Sequence, residues 1–174
     1  IATIILSEIS NNNAGGSSAP GINCFACSLQ VINSNILYNT TSTNMGGGLI
    51  ISGGGSPPEG FVELENSLIW GNGPDQIWFS QNGYGSLKVS YCDVEDGQNG
   101  IIVGQNETLI WGNGNIDQYP SFIDSAQSDY SLNIGSPCID TGNPDLNDDG
   151  STWETDSDDQ DPDGTRMDMG AYYY

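Results

Sequence analysis

A short phrase that recurs along the chain constrains the fold more than any other feature of this sequence. Residues 33–39 (NSNILYN) return as residues 66–72 (NSLIWGN), and the hexapeptide LIWGNG at residues 68–73 recurs unchanged at residues 109–114. The period of this repetition is roughly 25–40 residues, which is typical of solenoids, where each repeat packs on its neighbours. The sequence therefore predicts a stack of similar coils.

The repeating units have the composition of strands and turns. Residues 87–94 align with residues 62–69, and short aliphatic or β-branched runs are separated by Gly, Asn and Pro. Asn beside an apolar strand end suits a coil corner, because stacked Asn side chains can hydrogen-bond along the axis and tolerate left-handed backbone. We expect an all-β fold of about four or five coils in residues 1–124. Unequal loops, such as the one containing Pro57 and Pro58, are expected to project from one face.

The C-terminal part of the chain concentrates ten aspartates within residues 140–168. Two segments, starting at Asp145 and Asp159, follow the pattern D-x-[DN]-x-[DN]-G, the first half of a calcium loop. Asp156 holds the twelfth position of the first loop, whereas Asp168 has to supply the late ligand of the second. The expected calcium ligands are Asp145, Asn147, Asp149, Asp156, Asp159, Asp161, Asp163 and Asp168.

The alternative for this acidic run is a solvated, disordered tail. Two features favour a folded lobe: the acids have ligand spacing, and apolar residues such as Trp153 and Met169 interrupt them. So many uncompensated carboxylates would also repel one another in a folded state without cations. We therefore expect residues 125–174 to form a loop-rich, calcium-binding lobe that packs on the last coil.

Length and charge limit the classes of function. A chain of 174 residues can bury one sizeable core, and a total of two Lys and Arg against 23 acidic residues gives a net charge of −21. This charge excludes nucleic acid as a partner, because phosphate neutralisation needs basic side chains. No apolar stretch reaches transmembrane length, so membrane insertion is not expected. The start at Ile1 rather than Met indicates a removed signal peptide or a fragment of a longer precursor.

The four cysteines, together with the acidity and the calcium-like loops, favour an oxidising compartment and two disulfides. Three pairings are possible. We favour Cys24–Cys27 as a local bridge and Cys92–Cys138 as a bridge between the coils and the C-terminal region, with buried free thiols as the alternative. A zinc site is not expected, because the chain has no His and only one C-x-x-C motif.

The order of these segments resembles the final coils of secreted bacterial right-handed parallel β-helix repeat proteins, in particular the choice-of-anchor group of surface proteins. The resemblance covers about residues 22–173. It is most specific at residues 115–124, 129–145 and 161–172. It implies a short right-handed parallel β-helix and an exported protein of the cell surface or the extracellular matrix. The family offers no agreed catalytic motif to transfer.

The sequence gives little support to catalysis. Without His, a nucleophile–His–acid arrangement is excluded. A polysaccharide lyase would need Lys88 or Arg166 as its base, and Arg166 is better placed to pair with Asp163 or Asp168. Adjacent acids such as those at residues 148–149 could serve a glycosidase, but within calcium-type loops they are more economically explained as ligands. We therefore expect a protein that is not an enzyme.

Two sequons predict glycosylation at Asn39 and Asn106, both in expected loops. Trp70, Trp78 and Trp111 could stack on sugars, although alternation within strands favours a role in filling the core. Sugars therefore remain a possible partner of the chain.

The ends of a solenoid expose unpaired backbone groups. The chain opens with an apolar strand, within which we expect Ile1, Ile4, Ile5 and Leu6 to form an assembly strand. The leading hypothesis is a self-associating extracellular structural protein, a calcium-stabilised subunit of a fibre or surface layer. The first alternative is a calcium-dependent carbohydrate-binding or adhesion module, and the second is a polysaccharide lyase or glycosidase. The strand can equally be the first coil of a longer parent helix.

Overall fold

A computed structural model describes residues 1–15, 20–53, 60–80 and 83–174. These residues form seventeen short β-strands, numbered here in chain order, and three 3₁₀ helices, and none of the described residues is α-helical. The loop containing Pro57 and Pro58, which was expected to project from one face, lies outside the described residues.

Three parallel sheets contain most of the strands, and the chain visits them in turn. The first sheet has the order β1 (Ala2–Ile5), β5 (Ser28–Ile32), β9 (Gly60–Glu65), β12 (Gly85–Ser90) and β15 (Thr108–Trp111). The second has the order β2 (Glu8–Ser10), β6 (Asn35–Leu37), β10 (Leu68–Trp70) and β13 (Asp93–Val94). The third has the order β4 (Ile22–Phe25), β8 (Leu49–Ser52), β11 (Ile77–Phe79) and β14 (Ile101–Ile102).

Two smaller strand pairs complete the fold. β3 (Asn13–Ala14) and β7 (Thr40–Thr41) pair in parallel, whereas β16 (Phe122–Asp124) and β17 (Asp129–Leu132) form the one antiparallel pair of strands in the described chain. The 3₁₀ helices are Gly97–Gly100, Ser125–Gln127 and Ser157–Asp159. The architecture is therefore all-β and has the parallel coils of a β-solenoid, as the repeats predict.

The register of the first sheet sets the length of each coil. Leu29 pairs with Ala2 on one side and with Val62 on the other. Val62 in turn pairs with Leu87, which pairs with Leu109. Successive coils therefore take between 22 and 33 residues, somewhat less than the expected period.

Apolar side chains from all three sheets fill the interior of the solenoid. In a strand, alternate residues point to opposite faces, and the inward positions are the apolar ones. Val31, Leu64 and Val89 are fully buried in one such column, and Ile36 and Ile69 are fully buried in the second sheet. Because neighbouring coils place these residues in register, the core is continuous along the axis.

The chain turns its corners with left-handed backbone, as the Asn-rich repeats predict. The residue that follows each of the first four strands of the first sheet has a φ between 45° and 52°. These four residues are Leu6, Asn33, Asn66 and Tyr91. Asn tolerates this conformation better than most residues. Two of the four corners are therefore Asn for a conformational reason.

Stacked Asn side chains connect the coils at the second corner, which follows the strands of the second sheet. Asn12 donates from Nδ2 to Asn39 Oδ1 at 2.9 Å, and Asn39 donates from Nδ2 to Asn72 Oδ1 at 3.1 Å. A parallel ladder of hydroxyls lies one corner earlier, where the N–H of Ser34 donates to Ser67 Oγ at 3.1 Å. The Asn ladder confirms the predicted equivalence of residues 33–39 and 66–72, which the strand register also gives.

The identical hexapeptides do not occupy equivalent positions. Leu68 belongs to the second sheet and pairs with Asn35, whereas Leu109 belongs to the first sheet and pairs with Leu87. Leu68 packs on the outside of the coils, whereas Leu109 packs against the interior core. The alignment of residues 87–94 with residues 62–69 is confirmed, because Leu87 pairs with Val62.

The C-terminal region lies along the side of the solenoid, on the outer face of the second sheet. There its side chains and those of the second sheet form a second apolar cluster, separate from the interior core. This cluster consists of Leu37, Leu68, Phe122, Tyr130, Leu132, Cys138 and Met169. At the first coil, Asn11 donates to the Tyr130 hydroxyl at 2.8 Å, and the Tyr172 hydroxyl donates to Glu8 at 2.6 Å. The region thus extends from the last coil back to the first, rather than packing on the last coil alone as expected.

The cysteines confirm one predicted bridge and contradict the other. Cys24 and Cys27 form a disulfide, as predicted. Cys92 and Cys138 are free and buried, so the predicted bridge between them is wrong. Cys92 lies in the interior core and Cys138 in the outer cluster, so the two thiols belong to separately packed faces. Cys138 instead donates to the buried Asp93 at 3.3 Å.

Candidate functional site

Residues 140–168, which contain the ten aspartates, are called the acidic segment here. Hydrogen bonds to the solenoid anchor this segment at its start. The Asn143 side chain donates to Glu65 Oε1 at 2.7 Å, and its N–H donates to the Asn66 side chain at 2.6 Å. Asn66 is also a corner residue of the third coil, so the corner that turns the chain also receives the acidic segment. The loops that follow are therefore fixed relative to the first two sheets.

The first acidic loop is closed by its own side-chain oxygens. The Asp145 carboxylate accepts the N–H groups of Asp149 and Gly150, each at 3.0 Å. Asp149 also donates its N–H to Asn147 Oδ1 at 3.1 Å and accepts the N–H of Ser151 at 2.7 Å. Gly150 has a φ of 88°, the left-handed turn for which the sequence pattern requires Gly. The side chains at alternate positions of the pattern thus close the loop on its own backbone.

Asp159 packs against this first loop. It is fully buried, and its Oδ1 accepts the N–H of Leu146 at 2.6 Å. Its Oδ2 is buried without a hydrogen-bond partner. Burial, with the charges of Asp156 and Asp145 nearby, raises the pKa of Asp159. A buried carboxylate oxygen without a donor is costly, and a cation is the partner that would satisfy it beside further carboxylates.

A second group of carboxylates consists of three aspartates that come from different parts of the C-terminal region. Asp140, Asp161 and Asp168 each offer an oxygen within 4.8 Å of the others, and the last two are buried. Asp168 is held by the N–H groups of Asp140 at 2.8 Å and Tyr174 at 2.7 Å. Burial, reinforced by Asp163 and Asp168, raises the pKa of Asp161 to about 6. These are oxygen ligands suited to a hard divalent cation.

The structure therefore divides the eight predicted ligands into two groups. Asp145, Asn147, Asp149 and Asp156 belong to the first loop, and Asp159, which was assigned to the second loop, lies with them. Asp161 and Asp168 form the second group, with Asp163 as an exposed neighbour whose pKa is lowered by the Thr165 hydroxyl.

Asp140 is the member of the second group that the sequence did not reveal. It stands 21 residues before Asp161, outside either D-x-[DN]-x-[DN]-G segment, and only the return of the chain brings the two together. Thr165 connects the two, since its carbonyl oxygen accepts the N–H of Asp161 at 3.2 Å and its hydroxyl lies within hydrogen-bond distance of Asp140 and of Asp163. No local spacing signals this contact.

Arg166 does not form the expected pair with Asp163 or Asp168. Its guanidinium donates to the carbonyl oxygens of Gly142 at 2.6 Å and Thr141 at 3.3 Å, and it lies 5.8 Å from the centre of the Tyr91 ring. The side chain therefore fastens the start of the acidic segment to the solenoid and leaves the acidic groups without a basic partner from this residue.

The two sequons differ in accessibility. Asn39 is completely buried and lies in the middle of the Asn ladder, so a glycan on its amide has no room in the folded chain. The predicted glycosylation of Asn39 is therefore wrong. Asn106 is exposed in a turn before β15, and its glycosylation stays a prediction.

The predicted assembly strand is the outermost strand of the first sheet. β1 pairs with β5 alone among the described strands. Ile1, Ile5 and Leu6 are exposed, whereas Ile4 packs against the interior core. Three of the four expected assembly residues thus lie on the surface at this end of the solenoid.

Comparison with known proteins gives no relative from which a function could be transferred. No protein-family model, no curated protein and no solved structure matches this chain. Within the described residues, none of the helices has the length and apolar character needed to cross a membrane. The function is therefore argued from the geometry of the chain itself.

Proposed function

We propose that this chain is a non-enzymatic extracellular structural protein, stabilised by calcium, whose copies associate end to end through the outermost strands of the solenoid. The observation that carries the proposal is that β1 and β15 are the two outermost strands of one parallel sheet. All strands of this sheet run in the same direction, so β1 of one copy can pair with β15 of another in the parallel sense already used inside the chain.

Exposed apolar side chains support association at both ends. At the β1 end, Ile5 is 53% exposed and Phe25 is 71% exposed. At the β15 end, Ile110 is 46% exposed, and Ile102 of the neighbouring sheet is also on the surface. An outermost strand with unpaired backbone groups and apolar side chains is a template for adding a further strand. A second copy of this chain supplies such a strand in a compatible register.

Right-handed winding of the coils is part of this proposal, because parallel crossovers are overwhelmingly right-handed.

The two acidic groups support the role of calcium. The unpartnered Oδ2 of Asp159 and the mutual repulsion around Asp161 both disfavour the folded segment without cations. Oxygen-only ligand sets of this kind suit calcium. The disulfide between Cys24 and Cys27 and the net charge of −21 agree with a cation-rich, oxidising setting outside the cell.

End-to-end association is tested by analytical ultracentrifugation and negative-stain microscopy of the 174-residue chain in calcium. We expect filaments or concentration-dependent oligomers, and we expect Ile5→Lys and Ile110→Lys each to reduce them, because Lys on an edge strand opposes strand addition. Ser28→Lys is the matched control, since Ser28 is exposed on β5, a strand that is paired on both sides. Monodisperse monomers at high concentration in calcium would refute association and leave the calcium sites untouched.

Calcium binding is tested separately by thermal unfolding with calcium and with a chelator. A ligand that binds only the native state adds about 2.7 kcal/mol of stability at a free concentration of 100 times its Kd. Asp149→Ala and Asp161→Ala should each remove part of the gain, because each removes a ligand from one group. Asp124→Asn, an exposed carboxylate of β16, should leave the gain intact. An unchanged melting curve after chelation would show the ligand assignment to be wrong.

A further inference from the structure

A polar groove with a volume of about 560 Å³ lies on the outer face of the first sheet. Its floor consists of outward side chains from the neighbouring strands β5, β9 and β12, and residues 143–148 pass along one side as a wall. Tyr91 and Asn113 close a further side. The groove thus lies between the solenoid and the acidic segment, away from the outermost edge of β1.

The floor presents two columns of side chains. One column contains Gln30, Glu63 and Lys88, which occupy paired positions on three successive strands. The other contains Ile32, Glu65 and Ser90, also in register. Adjacent strands are about 4.8 Å apart, so polar groups repeat along the groove at that interval. This interval is comparable with the length of one pyranose ring in an extended sugar chain.

The charged groups of the floor are held in place by their neighbours. Lys88 Nζ donates to Glu63 Oε1 at 2.7 Å, and Gln30 donates to Glu63 Oε2 at 3.1 Å. Asn143 donates to Glu65 Oε1 at 2.7 Å from the wall. Lys88 keeps further N–H groups for a ligand, since an ammonium has three donors. A binding site needs this kind of support, because side chains that are already ordered lose less entropy on binding.

The chemistry of the groove restricts the ligand. Acidic side chains outnumber basic ones, because Glu63, Glu65, Asp145 and Asp148 face a single Lys88. A polyanion would be repelled. Fixed carboxylates, amides and an ammonium in one groove match hydroxyl groups, which donate and accept at once. The groove therefore suits a polyhydroxylated ligand without acidic groups.

The neighbouring carboxyl groups have different environments. The hydrogen bond from Lys88 lowers the pKa of Glu63, whereas burial raises the pKa of Glu65. Glu63 therefore stays ionised to a lower pH than Glu65 does. Glu65 gains more from a ligand hydroxyl, because its half-buried charge has lost part of its hydration.

We propose that this groove binds an oligosaccharide without acidic groups, with Glu63, Glu65 and Lys88 hydrogen-bonding to its hydroxyls. This site lies on the side of the solenoid and does not depend on end-to-end association. It gives a structural protein a lateral contact with a neutral or amino-sugar polymer. The aromatic residues singled out in the sequence do not form it, because Trp70, Trp78 and Trp111 are absent from the lining.

The test is isothermal titration of the 174-residue chain in calcium buffer with three hexamers: N-acetylglucosamine, glucosamine and galacturonate. We expect the first or the second to bind and the galacturonate hexamer to bind at least about tenfold more weakly, because its carboxylates meet those of the groove. Absence of binding by both of the first two hexamers would overturn the proposal. Equal binding of the galacturonate hexamer would overturn the charge argument on which it rests.

Matched variants locate the site. Glu65→Gln keeps the size and an acceptor for Asn143, and Lys88→Met keeps an apolar stem of similar length without the ammonium. We expect each to weaken binding about tenfold, the effect of losing one charge-assisted hydrogen bond. Asp124→Asn is the control and should bind as the parent chain does. Unchanged binding in both groove variants, or loss of binding in Trp78→Ala alone, would overturn the assignment to this groove.

Discussion

Replacing Asn39 by Ala tests whether the Asn ladder stabilises the coils. Asn39 is fully buried and its side chain makes four hydrogen bonds. It donates to the Ile9 carbonyl at 2.8 Å and to Asn72 Oδ1 at 3.1 Å, and it accepts two bonds from Asn12. Asn12 is exposed, so water can replace its lost bonds.

The expected cost follows from the two bonds that water cannot easily replace. A buried hydrogen bond contributes about 1–1.5 kcal/mol, so we expect Asn39→Ala to lower the free energy of unfolding by about 2–3 kcal/mol. Asn106→Ala is the matched control, because it removes the other sequon from an exposed turn. A surface change of this kind should stay within about 0.5 kcal/mol.

The measurement is urea denaturation followed by circular dichroism, with the two variants and the parent chain at one calcium concentration. The midpoint should shift clearly for Asn39→Ala and hardly at all for Asn106→Ala, with the slope unchanged. If Asn39→Ala loses less than about 1 kcal/mol, the ladder is not a source of stability. A glycan found at Asn39 in the native protein would contradict its buried position directly.

Two further predictions concern buried titratable groups. Burial raises the pKa of Asp93 from 3.8 to about 7. Its contribution to stability is therefore complete below pH 3.8 and is lost as the pH rises through 7, and Asp93→Asn should flatten the pH dependence of the urea midpoint in that window. Burial also raises the pKa of Cys92 to about 12 and raises that of Cys138. A thiol reagent should therefore label neither cysteine in the native chain and both after unfolding, and immediate labelling would contradict their burial.

The local features of the fold were predictable because they repeat. Strand composition, Asn at corners and the equivalence of residues 33–39 and 66–72 all depend on neighbouring residues and on one coil spacing. The Cys24–Cys27 bridge is equally local, with a sequence separation of three. Each of these signals lies within one coil or between adjacent coils, the range over which sequence patterns are informative.

The hexapeptide LIWGNG shows where such patterns fail. In the strand at residues 68–70, Ile69 is buried in the interior core, whereas in the strand at residues 108–111 the equivalent Ile110 is exposed. Side chains alternate between faces, so the same letters present opposite faces when the strand belongs to another sheet. The identical letters form a strand in both places, but they do not determine which side chains of that strand face the core. The pairing register along the whole coil decides which residues enter the core.

The position of the C-terminal region depends on contacts that no local pattern encodes. Asp140 meets Asp161, Asn143 meets Glu65, and Asn11 meets Tyr130 across 119 residues. The contacts of Asn143 and Tyr130 require the C-terminal region to return along the outside of the solenoid. The same course moves Asp159 from the second calcium pattern to the first loop, where its Oδ2 lacks a partner.

This course also connects the proposed functions of the chain. Asn143 and Asp145 stand in the wall of the groove, and Asp145 is at the same time the first predicted calcium ligand of the first acidic loop. Calcium in that loop would order the wall against which Glu65 is fixed. The ends of the solenoid, by contrast, lie outside this network. Loss of calcium is therefore expected to unfold the acidic segment before the coils unfold, since the interior core does not depend on the acidic segment.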